Sequence, residues 1–224
     1  MPDLNVNAKK EVTREAAYWN RFYNDEFKVE IPSQFCCLVG TEAPKTRPFV
    51  EFGCGNGRDA MYIARQGLPV YAGDLSCKAI ECLQKAAPPN ATFSVCDVSK
   101  PEDVKALVTL AREAANESDN FNVTLYNRFF IHALDEHQES VFLGALSEAT
   151  KTGDILYMEY RCTLDETLEK EHGKGHYRRY VDTNELVKLL TRLNFKTTYE
   201  ITGQGMAKFK KEDPFVSRII CARL

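Results

Sequence analysis

Residues 49–76 decide the fold: Phe49-Val-Glu-Phe-Gly-Cys-Gly-Asn-Gly-Arg-Asp59, then a helical run, then Val70-Tyr-Ala-Gly-Asp-Leu-Ser76. A short apolar strand runs into glycines at alternate positions, Gly53, Gly55 and Gly57, and an acid, Asp74, closes the next apolar run. Strand, tight glycine turn, helix and second strand form the layout of a nucleoside-binding βαβ unit. The dinucleotide fingerprint Gly-x-Gly-x-x-Gly asks for a third glycine where this chain has Arg58. That substitution argues against a nicotinamide-dependent oxidoreductase.

The pattern Glu51-x-Gly53-x-Gly55-x-Gly57, with an acid ahead of the glycines, resembles the first motif of class I S-adenosylmethionine (SAM) methyltransferases. The likeness covers residues 47 to about 160. It implies SAM as cofactor, with Glu51 near the ammonium and bare backbone at Gly53, Gly55 and Gly57 approaching the amino-acid tail. Asp74, followed by Leu75, would accept from both ribose hydroxyls, as a carboxylate can.

The 224 residues suit one α/β domain with its own core. An apolar fraction of 44%, a charged fraction of 27% and a net charge of −3 describe an ordinary globular chain with no electrostatic case for nucleic acid. The longest apolar runs are far short of a membrane span, and the first ten residues carry no apolar signal core. Of the eight cysteines, Cys36 and Cys37 are adjacent and Cys54 sits inside the glycine turn. No Cys-x-x-Cys pair occurs, so the expectation is reduced thiols in a cytoplasmic protein and no metal site.

Strand and helix signals then alternate. Strands are expected at 48–52, 70–73, 92–95, 122–126 and 154–160, with helices at 58–66, 76–86, 101–117 and 136–150 between them. A helix over 183–193 and two strands, 196–201 and 216–222, close the chain. The expected fold is a doubly wound, seven-stranded, mostly parallel sheet with an antiparallel C-terminal hairpin and helices on both faces. Residues 1–46 read as an N-terminal helical cap and 47–224 as the SAM-binding domain. In the cap, 11–23 carries Ala16, Trp19, Phe22 and Tyr23 at helical spacing, which is either core packing or a lid whose aromatics, Trp19 first, cover the cofactor. Ser33 is placed to cap a second short helix.

Ligands of doubly wound sheets bind at the carboxyl ends of the strands. After the third strand come Asp97 and Val98, which by the resemblance would meet the adenine through a carboxylate and a backbone amide. After the fourth comes Tyr126-Asn127-Arg128-Phe129-Phe130-Ile131-His132. The Pro-Pro-aromatic motif of DNA and protein-amide methyltransferases is absent from it, and a histidine past the strand is what small-molecule members often carry. Asn127 and Arg128 are assigned to the cofactor, Phe130 to the substrate, and His132 to general-base catalysis or substrate positioning. After the fifth strand come Glu159 and Arg161, then His176-Tyr177-Arg178-Arg179. The arginines suit a carboxylate or phosphate, while Glu159 and the tyrosines suit an ammonium. These runs, with Glu212 to Arg218, resemble a group of bacterial small-molecule methyltransferases found near surface-polysaccharide genes.

The sequence therefore reads as a cytoplasmic SAM-dependent methyltransferase, a monomer or homodimer, acting on N or O of a small polar carboxylate- or phosphate-bearing metabolite. Sulfur methylation of a small thiol or thioether, and a catalytically silent SAM-binding protein, stand as alternatives.

Overall fold

A computed structural model of the chain describes residues 13–26, 31–114, 122–170 and 177–224. Its seven strands are β1 (Phe49–Phe52), β2 (Val70–Asp74), β3 (Ala91–Val95), β4 (Thr124–Arg128), β5 (Ile155–Arg161), β6 (Phe195–Gly203) and β7 (Val216–Arg223). They form one sheet in the order β3-β2-β1-β4-β5-β7-β6. β1 to β5 are parallel, and β7 runs antiparallel between β5 and β6. The helices are α1 (Arg14–Glu26), α2 (Gln34–Glu42), α3 (Arg58–Arg65), α4 (Cys77–Ala86), α5 (Pro101–Glu113), α6 (Glu136–Ala149) and α7 (Thr183–Arg192).

Side chains alternate across each strand, so a strand covered on both faces must be apolar at every position. β1 is buried throughout: Val50 and Phe52 enter one core with Leu107, Phe142 and Leu146, while Phe49 enters the other with Phe35, Ile63 and Tyr126. Glu51 shares the Phe49 side, which is why this one acid is buried. Strand order reverses between β1 and β4, and that switch point opens the crevice in which such sheets hold ligands.

Four of the helices begin at a side-chain cap. Ser33 accepts from the Cys36 amide, Ser76 from that of Ala79, and Asp182 from those of Asn184 and Glu185. Asp135 and Gln138 form a capping box on α6. The Ser33 cap is further fixed by Asp59, which accepts from the Ser33 amide, the Ser33 hydroxyl and the Tyr126 hydroxyl, each at 2.7 Å. This buried knot ties α2, α3 and β4 together beside the crevice.

The expected seven-stranded sheet and its closing hairpin are present. α1 lies three residues further along the chain than the aromatic spacing implied, and α5 ends at Glu113. The expected continuation of α5 beyond 114, the loop at 117–120 and the N-terminal ten residues lie outside the described residues. Among the described residues no helix is long and apolar enough to cross a membrane.

Candidate active site

The turn after β1 places Gly53, Gly55 and Gly57 at φ of +70°, +54° and +71°, a region costly for any side chain with a Cβ. Space is equally restrictive: a Cβ on Gly53 would overlap the Phe130 ring, and one on Gly55 the Tyr23 hydroxyl. Asp74, at the end of β2, locks this turn. Its Oδ2 accepts from the Gly55 amide and its Oδ1 from the Ser76 amide, both at 2.8 Å. Burial pushes its carboxyl up, against those two amides, which pull it down. Each oxygen keeps capacity for a further donor.

Glu51 lies beneath the turn with Oε2 buried and partnerless. Burial, then the neighbouring Asp59 carboxylate, hold its pKa well above the usual range. An orphaned buried carboxylate oxygen at this place is a demand for a cation or donor.

A cleft of about 100 Å³ adjoins the turn, lined by Glu15, Trp19, Tyr23, Gly53, Asp74, Leu75, Cys96, Asp97, Val98, Ser99, Phe129, Phe130, Ala133, Leu134 and Gln138. Burial would raise the Asp97 carboxyl, but bonds from the Ser99 hydroxyl and amide and from Lys100 outweigh it and hold it low. α1 roofs the cleft. Asn20 Oδ1 accepts from the Ser76 hydroxyl at 2.8 Å and the Lys78 amide at 3.2 Å, pinning the helix over the start of α4. Tyr23 stacks on Trp19 with ring centroids 6.1 Å apart. Burial and the charges of Asp74, Cys54 and Glu51 raise its phenol well above the usual range, so it stays protonated.

A second cavity, about 680 Å³, shares Trp19, Tyr23, Phe129 and Ala133 with the cleft. Its cations are Arg58, Arg128, Arg161, Arg178 and Lys208, and its lining carboxylate is Glu212. Phe129 stands on the boundary with φ +51°, a strained backbone for an aromatic residue. Its ring is a hub: the guanidinium carbon of Arg128 is 4.1 Å from its centroid, that of Arg161 5.5 Å, and the His132 ring 5.4 Å. Glu159, fully buried, accepts from Arg128 Nε and Arg218 Nε at 2.6 Å each. Arg161 is held by Asp165 at 2.7 Å and by Glu212.

His132 follows β4 on a short 3₁₀ turn and lines this cavity. Its Nδ1 accepts from the Arg161 amide at 3.2 Å. Burial, then Arg178, Arg161, Arg128 and Arg179, depress its pKa well below the usual histidine range, so the ring is neutral. A neutral imidazole whose Nδ1 is an acceptor carries its proton on Nε2. The ring therefore offers the cavity an N–H donor, and the expected general base lacks a free lone pair.

Several expected residues stand together at the cleft: Trp19, Gly53, Asp74, Leu75, Asp97 and Val98 line it, with Gly55, Gly57 and Glu51 forming and underlying its turn. Others moved. Arg128, expected on the cofactor, lines the second cavity, and Phe130, expected on the substrate, packs over Gly53. Asn127 lines neither cavity, and both atoms of its buried amide are unpartnered. Glu159 is sealed between two arginines and cannot hold an ammonium. Arg179 turns away to Glu139, and its amide donates to the His132 carbonyl at 2.8 Å. Arg161, Tyr177 and Arg178, assigned to the substrate from the sequence, line the second cavity. His176 lies outside the described residues. Sequence reasoning missed Phe129, Tyr23 as the residue above Gly55, and Arg218 as the partner of Glu159. Phe129 had a signal, since it sits in the run that follows β4.

Residues 50–151 match the family model described as a methyltransferase domain. No curated protein matches the chain. Solved structures of like fold include a SAM-dependent methyltransferase from Anabaena variabilis, with TM-score 0.71, 16% identity, and 95% of this chain and 96% of that one covered. The glycopeptide N-methyltransferase MtfA in complex with SAM aligns with TM-score 0.61 at 15% identity, over 87% of this chain and 95% of its own. Magnesium protoporphyrin IX methyltransferase from Synechocystis with bound S-adenosylhomocysteine gives TM-score 0.58 at 15% identity, over 100% and 90%. At such identities the likeness to each is one of fold. Residues 50–151 thus match a methyltransferase domain, and the sheet order and glycine turn are those expected of the class I SAM-dependent fold. The cofactor held in the MtfA complex is SAM. The residues present fit it: the orphaned Glu51 oxygen suits an ammonium, and the spare lone pairs of Asp74 suit a ribose diol.

Proposed function

We propose that the enzyme methylates an N or O atom of a small, polar, anionic metabolite in the cytoplasm, with residues 1–46 acting as a cap on the catalytic domain. The observation that carries this reading is the cation-lined cavity meeting the cofactor cleft at Phe129. In this reading Glu51 takes the cofactor's ammonium, Asp74 its ribose hydroxyls, and Asp97 with Val98 its adenine. SAM supplies an electrophilic methyl on a sulfonium. The chain's own work is alignment and exclusion of water, to which Trp19, Tyr23 and Phe129 contribute as apolar walls between the two spaces. Arg128 and Arg178 hold the acceptor's anionic end. His132 donates from Nε2 to orient it.

The test is transfer of label from methyl-tritiated SAM into fractions of a small-molecule extract. The expected result is label in an acidic low-mass fraction. Label appearing only in protein or nucleic acid refutes the reading, and SAM binding without label anywhere makes the chain a silent binder.

A further inference from the structure

The second cavity holds more positive charge than its own carboxylates neutralise. Arg128 and Arg218 share the single carboxylate of Glu159, two cations against one anion. Arg161 is matched by Asp165 and Glu212, and Lys170 also reaches Asp165. Arg179 is matched by Glu139, and Arg58 by Asp59 at 3.7 Å. Arg178 lines the cavity and makes no ion pair or side-chain hydrogen bond among the described residues. One charge from the Arg128 group and one from Arg178 remain, and Lys208 adds a solvated charge at the rim.

The unmatched groups are also aimed. Arg128 spends only Nε on Glu159, and its guanidinium lies on the Phe129 face. Among the described residues its two terminal nitrogens make no hydrogen bond, which leaves a fork at the cavity wall. His132 is fixed by the Arg161 amide on Nδ1 and by the Arg179 amide on its carbonyl, so its other edge, with Nε2–H, is the part left to the cavity.

We propose that this cavity seats a dianionic phosphoryl group, a phosphate monoester, with Arg128 and Arg178 as its counter-charges and His132 Nε2–H as a neutral donor. This rests on the reading of the cavity as the acceptor's seat. A carboxylate or a sulfate monoester carries one charge and leaves a guanidinium unmatched. A phosphate monoester carries close to two above its second pKa of about 6 and has three acceptor oxygens for the fork, the second arginine and the imidazole. Trp19, Phe22 and Phe209 offer apolar surface for the organic part of the ester. The groups facing His132 are Arg128 from β4, Arg161 from β5, and Arg178 and Arg179 from the segment before α7. All are cations, so the ring stays neutral through the pH range in which the phosphate gains its second charge.

The test is calorimetric titration of the whole protein with phenyl phosphate, phenyl sulfate and benzoate at pH 5 and pH 8. At pH 8 phenyl phosphate binds at least about tenfold more tightly than either monoanion, and near pH 5 the advantage over sulfate disappears. Arg178→Gln, which breaks no ion pair among the described residues, and Arg128→Gln each weaken phenyl phosphate about tenfold or more. His132→Ala weakens it and His132→Gln, which keeps an N–H donor, restores it. SAM affinity is unchanged in all four variants. Equal binding of phenyl sulfate and phenyl phosphate at pH 8, or wild-type phosphate binding in Arg178→Gln, overturns the proposal. A substrate identified by label transfer that lacks any phosphoryl group also overturns it while leaving the methyl-transfer reading intact. Phosphate binding by a protein that transfers no label leaves the seat and removes that reading.

Discussion

The Arg161 amide donates to Nδ1 of His132 across 3.2 Å, and this one bond decides which nitrogen of the ring carries the proton. A base is thereby turned into a donor. In nitrogen-15 spectra of the imidazoles, His132 is expected to show the Nε2–H neutral tautomer from pH 6 to pH 8. A protonated Nδ1, or a titration near the ordinary pKa of about 6.5, would falsify the assignment.

The same depression has a stability consequence. The native His132 pKa lies well below that of the unfolded chain, near about 6.5. The unfolded state therefore binds the extra proton first as pH falls. The stabilisation from a neutral buried ring is fully present above about pH 6.5 and is lost as pH drops toward the native pKa. His132→Gln should accordingly lose less melting temperature than wild type between pH 8 and pH 5.5. An identical loss in both proteins would show that His132 does not drive the acid side.

Gly53→Ala should destabilise the fold on two grounds. The left-handed backbone costs about 1 to 2 kcal/mol for an L-residue, and the clash with Phe130 adds about 1 to 3 kcal/mol. Urea unfolding measures the sum, and a loss under about 1 kcal/mol would mean that the ring gives way freely.

Glu159→Gln leaves Arg128 and Arg218 buried without their shared counter-charge. Breaking a buried pair from one side typically costs about 3 to 5 kcal/mol. Denaturant midpoints that match wild type would contradict the sealed, structural role given to Glu159.

Tyr23 lies against Gly55, and the cleft it roofs, about 100 Å³, is smaller than a drug-sized ligand needs. α1 is therefore expected to shift as SAM enters. Trp19 is the chain's sole tryptophan and sits on that helix, so its emission should change on saturation with SAM, and Tyr23→Ala should speed association. Unchanged emission at saturating SAM would place the lid motion elsewhere.

The sheet was legible because its signals are local. β1, β2 and β3 each couple an apolar run to a glycine or acid at or just past the strand end, and α4 and α6 carry side-chain caps. The turn was legible because glycine adopts its left-handed dihedrals at the least cost. What escaped depends on partners far along the chain. The His132 proton is set by an amide in β5, and Arg179 is drawn away by Glu139 in α6. Arg128 ends β4 and Phe130 follows two residues later, yet across the strained Phe129 between them one lines each cavity, which no period-two reading foresees.

Titration of SAM into wild-type and Asp74→Ala protein, with melting curves to verify folding, tests the cofactor assignment on which the rest depends. The wild type should bind one SAM per chain. Asp74→Ala should lose about 1.5 to 3 kcal/mol for each hydroxyl bond removed. A folded Asp74→Ala protein that binds SAM as tightly as wild type would contradict the account.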